Sequence, residues 1–475
     1  VSELAWTPAT ELAGLIKARK ASPVEVMQAV LAQAEATQDT CNAFITLDGE
    51  RALNRAKADE AALMRGDASG SLFGVPVSVK DLCNTKDLRT TFGSLHYKDN
   101  IPAADCIAVA RLRAAGANIF AKTTTPEFGH KPLTEAPLYG RTLNPWDQTR
   151  TTGGSSGGGA AAVATGAGPL GVGTDGGGST RIPAAACGLV GVKQTLGVVP
   201  HDQTPDVFGL LAYLGPITRT VEDAALMLDV MAGPDASDPH SLGRDLQGLA
   251  ATGANPMDLK GKRIGWRLKM GNERVDPETE AAFMASLKVL EDLGADLIER
   301  DDPFENTLPV WGPLTFSIWA TRFAEVEQKL GDQMSDTLRR WMGEGRGFGA
   351  TEVQSAMEAR TRLFRQVQSW FDDIDFLATP TLAAPALPAD HDPFGPVMIN
   401  GGDAGGLRDG WYPYTHPFNL TGHPAVTLPN GFTKSGLPAG GLQLTGPWLS
   451  DADLLSASAA YEAAQSWTDM RPALD

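Results

Sequence analysis

TGGSSGGGAAAVATGAGPLGVGTDGGGSTRIP, residues 152–183, decides how the rest of this chain is read. Two glycine-flanked serines, Ser155 and Ser179, stand 24 residues apart in it, and Gly176, Gly177 and Gly178 run directly into the second. Glycine adopts positive φ and lets backbone N–H groups approach a ligand, at a cost in chain entropy. Such amides ahead of an exposed hydroxyl meet the needs of acyl transfer: a nucleophile, and donors for the oxyanion that develops. A flexible Gly/Ser linker has a similar composition. Here AAAVA and PLGVG interrupt it with apolar, helix- or strand-forming residues.

Working outward, FGVPVSVKDL (73–82) alternates, so Val75, Val77 and Val79 share one face of a strand and Ser78 and Lys80 the other. Residues 7–37 read as two helices. Ser22-Pro23-Val24-Glu25 forms a capping box with proline at the first helical position, and Met27, Val30, Leu31 and Ala34 follow at helical spacing. Ala108–Ala115 is predicted helical, and residues 116–122 a helix stop leading into a strand. Helices and short apolar strands alternate to about Val230, which argues for an α/β sandwich. Beyond a Pro/Gly/Asp-rich connection at 233–256, residues 262–266 start another strand. Residues 278–373 are mostly helical by pattern, and 376–380 again read as a buried strand. Residues 390–414, rich in Gly, Pro and Asp, are expected to form a long surface loop near a functional site, and 451–467 a final helix.

A length of 475 residues allows up to about three domains or one large α/β domain. With 42% hydrophobic and 20% charged residues, the composition is that of a globular protein with a substantial core. A net charge of −17 argues against a broad nucleic-acid-binding face or attraction to anionic membranes. Cys41, Cys83, Cys106 and Cys187 are scattered, with no CxxC pair, and read as small buried hydrophobes in a reducing compartment. No apolar run is long enough to span a bilayer, and the first residues lack a basic, apolar leader. The expectation is a soluble, cytoplasmic protein.

Three motif readings compete. Gly171-Val-Gly173-Thr-Asp-Gly176 matches GxGxxG, but no acidic residue follows about twenty positions on to hold a ribose, and Pro183 falls where the phosphate-binding helix should run. Gly153-Gly-Ser155-Ser-Gly157 matches GxSxG, with His416 or His423 as a late base. That motif needs an apolar strand directly before it, and residues 144–152 are polar and turn-like. The third reading joins Lys80 at a strand end, Ser155 75 residues later and Ser179 beyond it.

On this third reading the chain resembles the amidase signature family, and within it the bacterial amidases and aryl acylamidases. PEFG (126–129), TEAPLYGRTLNPWD (134–147), GGSSGGGAAAVA (153–164), GTDGGGSTRIPAAACGLVGVKQT (173–195), LGPITRTVEDAALMLD (214–229) and NLTGHPAVTLPNG (419–431) carry the resemblance. It implies an α/β fold with a central twisted mixed β-sheet covered by helices on both faces. It also implies a single domain over 1–475, with a signature core at about 65–230 and a helical, pocket-forming region at about 258–371.

The resemblance further implies a Ser–cis-Ser–Lys triad of Ser179, Ser155 and Lys80, with the peptide before Ser155 cis. Backbone N–H groups of Gly176, Gly177, Gly178 and Ser179 would form the oxyanion hole. Asp175 and Arg181 would brace the nucleophile loop. Gly154, Thr152, Phe208, Tyr213, Trp311, Phe316 and Trp319 are the candidate substrate-binding residues, the aromatics pointing to aryl or apolar amides. To act as a base Lys80 must be neutral, which burial without a carboxylate partner can achieve. Asp81, adjacent in sequence, should point to the opposite face.

No metal and no cofactor are expected, since no HxxEH or HxxxH spacing occurs; His130, His416 and His423 read as pocket or structural residues. The expected partner is a small-molecule amide, with no nucleic acid and no membrane, and the resemblance allows a homodimer. Three departures from the family pattern stand out: Gly176, Gly159, and Ala212-Tyr213 in place of a polar Asp-Gln pair. The last argues against the glutaminase component of a glutaminyl-tRNA amidotransferase. The expected activity is hydrolysis of a small amide through an acyl-Ser179 intermediate. The alternatives are ester or carbamate hydrolysis on the same triad, a glutaminase subunit, or a non-catalytic relative.

Overall fold

The Ser22 side chain accepts from the Val24 N–H and Glu25 reaches back to the Ser22 N–H, so the capping box opens the helix Pro23–Cys41 as its sequence dictates. The structure, a computed structural model, describes residues 2–209, 211–244, 246 and 248–474. Before that helix lies Ala9–Lys17, the first of the two expected at the start of the chain.

An eleven-stranded mixed sheet organises the molecule. In chain order its strands are β1 (Phe44–Leu47), β2 (Pro76–Lys80), β3 (Asn118–Thr123), β4 (Leu170–Asp175), β5 (Val190–Lys193), β6 (Tyr213–Thr218), β7 (Arg263–Trp266), β8 (Asp296–Glu299), β9 (Phe376–Pro380), β10 (Ala425–Leu428) and β11 (Leu442–Thr445). Across the sheet they run β1-β3-β2-β4-β6-β5-β10-β11-β9-β7-β8. β2 pairs in parallel with β3 and β4, and β9, β7 and β8 are mutually parallel, while the middle of the sheet is antiparallel. The expected α/β architecture, a large mixed sheet flanked by helices, is borne out.

Val75, Val77 and Val79 enter the main core cluster with residues of β4, β5 and β10. Full burial of such side chains contributes about 1.5–3 kcal/mol each before entropy is counted. The register Val77↔Leu170, Ser78↔Gly171, Val79↔Val172 brings the C-terminal ends of β2 and β4 to one edge. Two short buried helices, Gly157–Ala164 and Arg181–Cys187, flank β4 in sequence and share a small apolar cluster through Ala160, Val163, Ala184 and Cys187. Gly158 lets the first of these helices approach the chain just past β3, because a Cβ there would lie 2.4 Å from the Thr124 backbone nitrogen.

Two expectations need correction. β8 lies inside the region read as helical; it is a half-exposed edge strand of only four residues. The expected surface loop at 390–414 ends in a π-helical turn, Leu407–Trp411, that is largely inside the protein, with Trp411 fully buried. The connection at 233–256 carries a short helix, Leu249–Ala254; its Asp245 and Gln247, like the terminal Val1 and Asp475, lie outside the described residues. All four cysteines are free and buried. Among the described residues no helix is long and apolar enough to cross a membrane.

Candidate active site

Lys80 ends β2 with 0% exposure, and its Nζ donates to three hydroxyls: Ser155 Oγ at 2.7 Å, Ser156 Oγ at 2.8 Å and Thr174 Oγ1 at 2.8 Å. No carboxylate lies within ion-pair distance of this amine among the described residues. Asp81 turns away and accepts from the N–H of Thr91 at 3.1 and 3.0 Å. Burial pushes Lys80 down from 10.5 to about 7, against a weaker upward pull from Cys83 and Asp175. An ammonium has three protons to donate; a neutral amine has two and one lone pair. Ser156 commits its own proton to the Thr174 carbonyl at 3.2 Å, whereas among the described residues Lys80 is the only hydrogen-bond partner of Ser155 Oγ. Ser155 is therefore free to pass a proton to the lone pair when the amine is neutral.

The Gly154–Ser155 peptide is cis. Gly129, with φ +71°, faces this serine, and a Cβ there would stand 3.1 Å from Ser155 Oγ and 2.6 Å from Leu82 Cδ1. Ser179 sits half-buried on the loop after β4, tied to the Ser155 segment by the Ser156 N–H donating to its carbonyl at 3.1 Å. Ser155 and Ser179 line the same cavity, with no hydrogen bond between their hydroxyls.

The loop carrying Ser179 is held from several sides. Arg181 and Asp175, both fully buried, form a two-pronged ion pair at 3.0 and 3.1 Å. Arg181 also donates to Gln443 Oε1 and Asn419 Oδ1, each at 2.8 Å, and Asn419 donates to the Asp175 carbonyl. Burial alone would raise the Asp175 carboxyl, but Arg181, joined by Asn419 and Lys193, outweighs it and holds the group at about 2. Trp311 Nε1 donates to the Gly176 carbonyl at 3.0 Å and Thr415 Oγ1 to the Gly177 carbonyl at 2.7 Å. The N–H groups of Gly176, Gly177 and Ser179 find no protein acceptor among the described residues. Gly178 is different: its N–H donates to Asp175 Oδ1 at 2.6 Å, which corrects its expected place in the oxyanion hole.

The cavity in front of the two serines measures about 1100 Å³, and Phe128, Trp311, Leu314, Ile318, Trp319 and Tyr412 form much of its apolar wall. A buried amine, a pair of serine hydroxyls and a row of free amides thus meet at one cavity. A family model described as Amidase matches residues 25–455. The chain belongs to the amidase signature family.

This amidase is similar to the acylamidase of Rhodococcus erythropolis, at 38% identity over 99% of the chain and 98% of that protein. It is also similar to the A component of the glutamyl-tRNA(Gln) amidotransferase of Mycobacteroides abscessus, 35% identical over 98% of the chain and 99% of that component. Among solved structures, a bacterial aryl acylamidase of the same family superposes with a TM-score of 0.91, at 30% identity and 98% coverage of both chains. The amidase is accordingly an amidohydrolase.

Of the candidate binding residues, Trp311 and Trp319 line the cavity and the other five do not. Phe208 is 78% exposed on the surface. Tyr213 is buried behind the site, donating to the Asn419 carbonyl at 3.0 Å with Lys193 Nζ 3.8 Å from its ring centre. Phe316 stacks on Trp341, at 6.0 Å and 2°, one layer behind the wall formed by Trp311 and Trp319. Thr152 is buried and donates to the Gly153 carbonyl. Gly154 acts through packing, since a Cβ there would meet the Pro132 backbone at 2.8 Å. Of the histidines, His130 and His416 lie in the cavity wall, whereas His423 bonds Thr421 and Gln368. Sequence reasoning missed Ser156, Thr174, Gly129 and Asn419. Ser156 and Thr174 neighbour recognised residues; Gly129 and Asn419 lie within quoted family segments without a role assigned.

Proposed function

We propose that the enzyme hydrolyses small aryl or apolar amides through an acyl-Ser179 intermediate, with Ser155 and Lys80 moving the protons. Neutral Lys80 draws a proton from Ser155, which draws one from Ser179 as Ser179 Oγ attacks the carbonyl carbon. The oxyanion is met by the free N–H groups of Gly177 and Ser179, with Gly176 alongside. Collapse breaks the C–N bond as the protonated Lys80 returns its proton through Ser155 to the leaving amine. Water then cleaves the ester by the same relay and releases the carboxylic acid.

The observation that carries this reading is the amine buried among hydroxyls and free of carboxylates, with Ser155 bonded to it at 2.7 Å. The aromatic wall of the cavity supports an aryl or apolar substituent. The identity with the Rhodococcus acylamidase, 38%, supports an amide substrate. Ser179→Ala should lower release of 4-nitroaniline from 4-nitroacetanilide by on the order of 10⁴-fold or more and abolish labelling by a fluorophosphonate. Unchanged turnover in that variant would refute the mechanism.

A second reading, a glutaminase that passes ammonia to a partner protein, is favoured by the 35% identity with the amidotransferase component. Glutamine hydrolysis that depends on added partner proteins, with no cleavage of free anilides, would establish it instead.

A further inference from the structure

Arg408 stands apart from the other buried arginines. Arg181 has Asp175, Gln443 and Asn419 as partners, and Arg219 has the carbonyls of Val163, Gly168 and Thr7. Arg408 lies in the wall of the catalytic cavity at 9% exposure, and among the described residues no carboxylate or other acceptor bonds it. Its Nε is sealed from solvent without a partner. Rings crowd the guanidinium instead: its Cζ lies 4.4 Å from the centre of Trp341, 4.7 Å from Trp311 and 5.4 Å from Phe316.

Burying a cation without a counter-ion is costly, and cation–π contacts offset only part of that cost. A guanidinium keeps its charge at any physiological pH and carries five N–H donors in one plane. With rings crowding the guanidinium and no acceptor on it among the described residues, its N–H donors stand unclaimed, and a planar carboxylate engages such donors with two parallel hydrogen bonds. The acidic side chains in the same cavity are engaged on their own loops: Asp105 with Arg113, Asp202 with the Ile107 N–H, and Asp206 with the Gly209 N–H. His416 Nδ1, in the same wall, is likewise buried without a partner, and burial together with Arg408 pushes the ring down to about 3, so it is neutral.

Trp311 relates this cation to the reacting centre. Its indole N–H holds the Gly176 carbonyl while its ring faces Arg408, so the guanidinium is one indole away from the oxyanion loop. We propose that Arg408 is a specificity residue that binds a carboxylate carried by the substrate, making the enzyme selective for amides with an acidic substituent. This rests on the amidase mechanism above and narrows its substrate class.

The test compares charged and neutral anilides of matched size on the same enzyme preparation. Succinanilic acid against butyranilide places the carboxylate on the acyl side; 4-acetamidobenzoate against acetanilide places it on the amine side. The readout is the charged-to-neutral ratio of kcat/KM, in which any loss of folded protein cancels. In the wild type one of the two ratios should exceed about ten. It should fall roughly 30- to 100-fold in Arg408→Met, with Arg408→Lys in between. Wild-type ratios at or below one, with the neutral anilides cleaved, overturn the role of Arg408 and leave the amidase reading standing. A high ratio that survives Arg408→Met overturns it equally. Failure of the wild type to cleave any of the four overturns the amidase reading itself.

Discussion

Protonation of Lys80 is the sharpest single perturbation of this site. Its amine is lowered from 10.5 to about 7 by burial. At about 1.36 kcal/mol per pH unit, the difference amounts to about 5 kcal/mol between the charged and neutral forms. A base must be neutral to act, so activity belongs to the deprotonated side. About one enzyme in eleven carries neutral Lys80 at pH 6 and about ten in eleven at pH 8, so kcat/KM for 4-nitroacetanilide should rise about tenfold across that interval. Ser156→Ala removes one of the three hydroxyls that accept from Nζ. Losing that acceptor disfavours the ammonium, so the midpoint should move down by about one pH unit. The stability linkage has the same sign. Between about pH 7 and 10.5 the unfolded chain holds a proton at Lys80 that the folded chain lacks, so wild-type stability relative to Lys80→Met rises with pH over that window and is level below it. A kcat/KM profile flat from pH 6 to 8, or one whose limb is centred above about pH 9, would refute the reasoning.

Three further outcomes are expected. Asp175→Asn leaves the Arg181 cation buried without its counter-charge and should cost about 3–5 kcal/mol in urea unfolding; the stability Asp175 contributes is present above about pH 4 and is lost as pH falls toward 2. Gly129→Ala puts a Cβ 3.1 Å from Ser155 Oγ at a φ of +71°, and should lower kcat at least about tenfold while costing about 1–2 kcal/mol of stability, read from kcat and Tm together. Trp311→Phe keeps an aromatic wall but removes the donor to the Gly176 carbonyl; a loss near 1 kcal/mol, or about fivefold, should appear in kcat rather than KM.

Much of this architecture is legible in the chain's own chemistry. The Ser22 cap is marked locally, and the alternation of 75–80 places Lys80 on the face opposite the valines. β8 is hidden in the sequence because four residues at a half-exposed edge carry too little apolar periodicity to stand out from a helical background. The aromatic candidates divide along a line that composition cannot draw. On the helix Leu308–Arg322, Trp311, Leu314, Ile318 and Arg322 recur at helical spacing along the cavity, while Phe316 packs behind them against Trp311, Trp319 and Trp341. Phe208 is on the surface, and nothing in its neighbours distinguishes that from a pocket. Arg408 is invisible because a Gly/Pro/Asp-rich stretch reads as solvated, and its burial depends on rings brought in from helices 60–100 residues away.

The clasp of Arg181 by Asn419 and Gln443 spans 238 and 262 residues. On the ribosome, the loop bearing Ser179 emerges long before either partner has been translated. Until those two later segments have emerged, its buried ion pair lacks two of its ligands and the loop lacks a fixed seat. The seating of that loop therefore waits on one of the longest-range closures in a topology already rich in distant contacts.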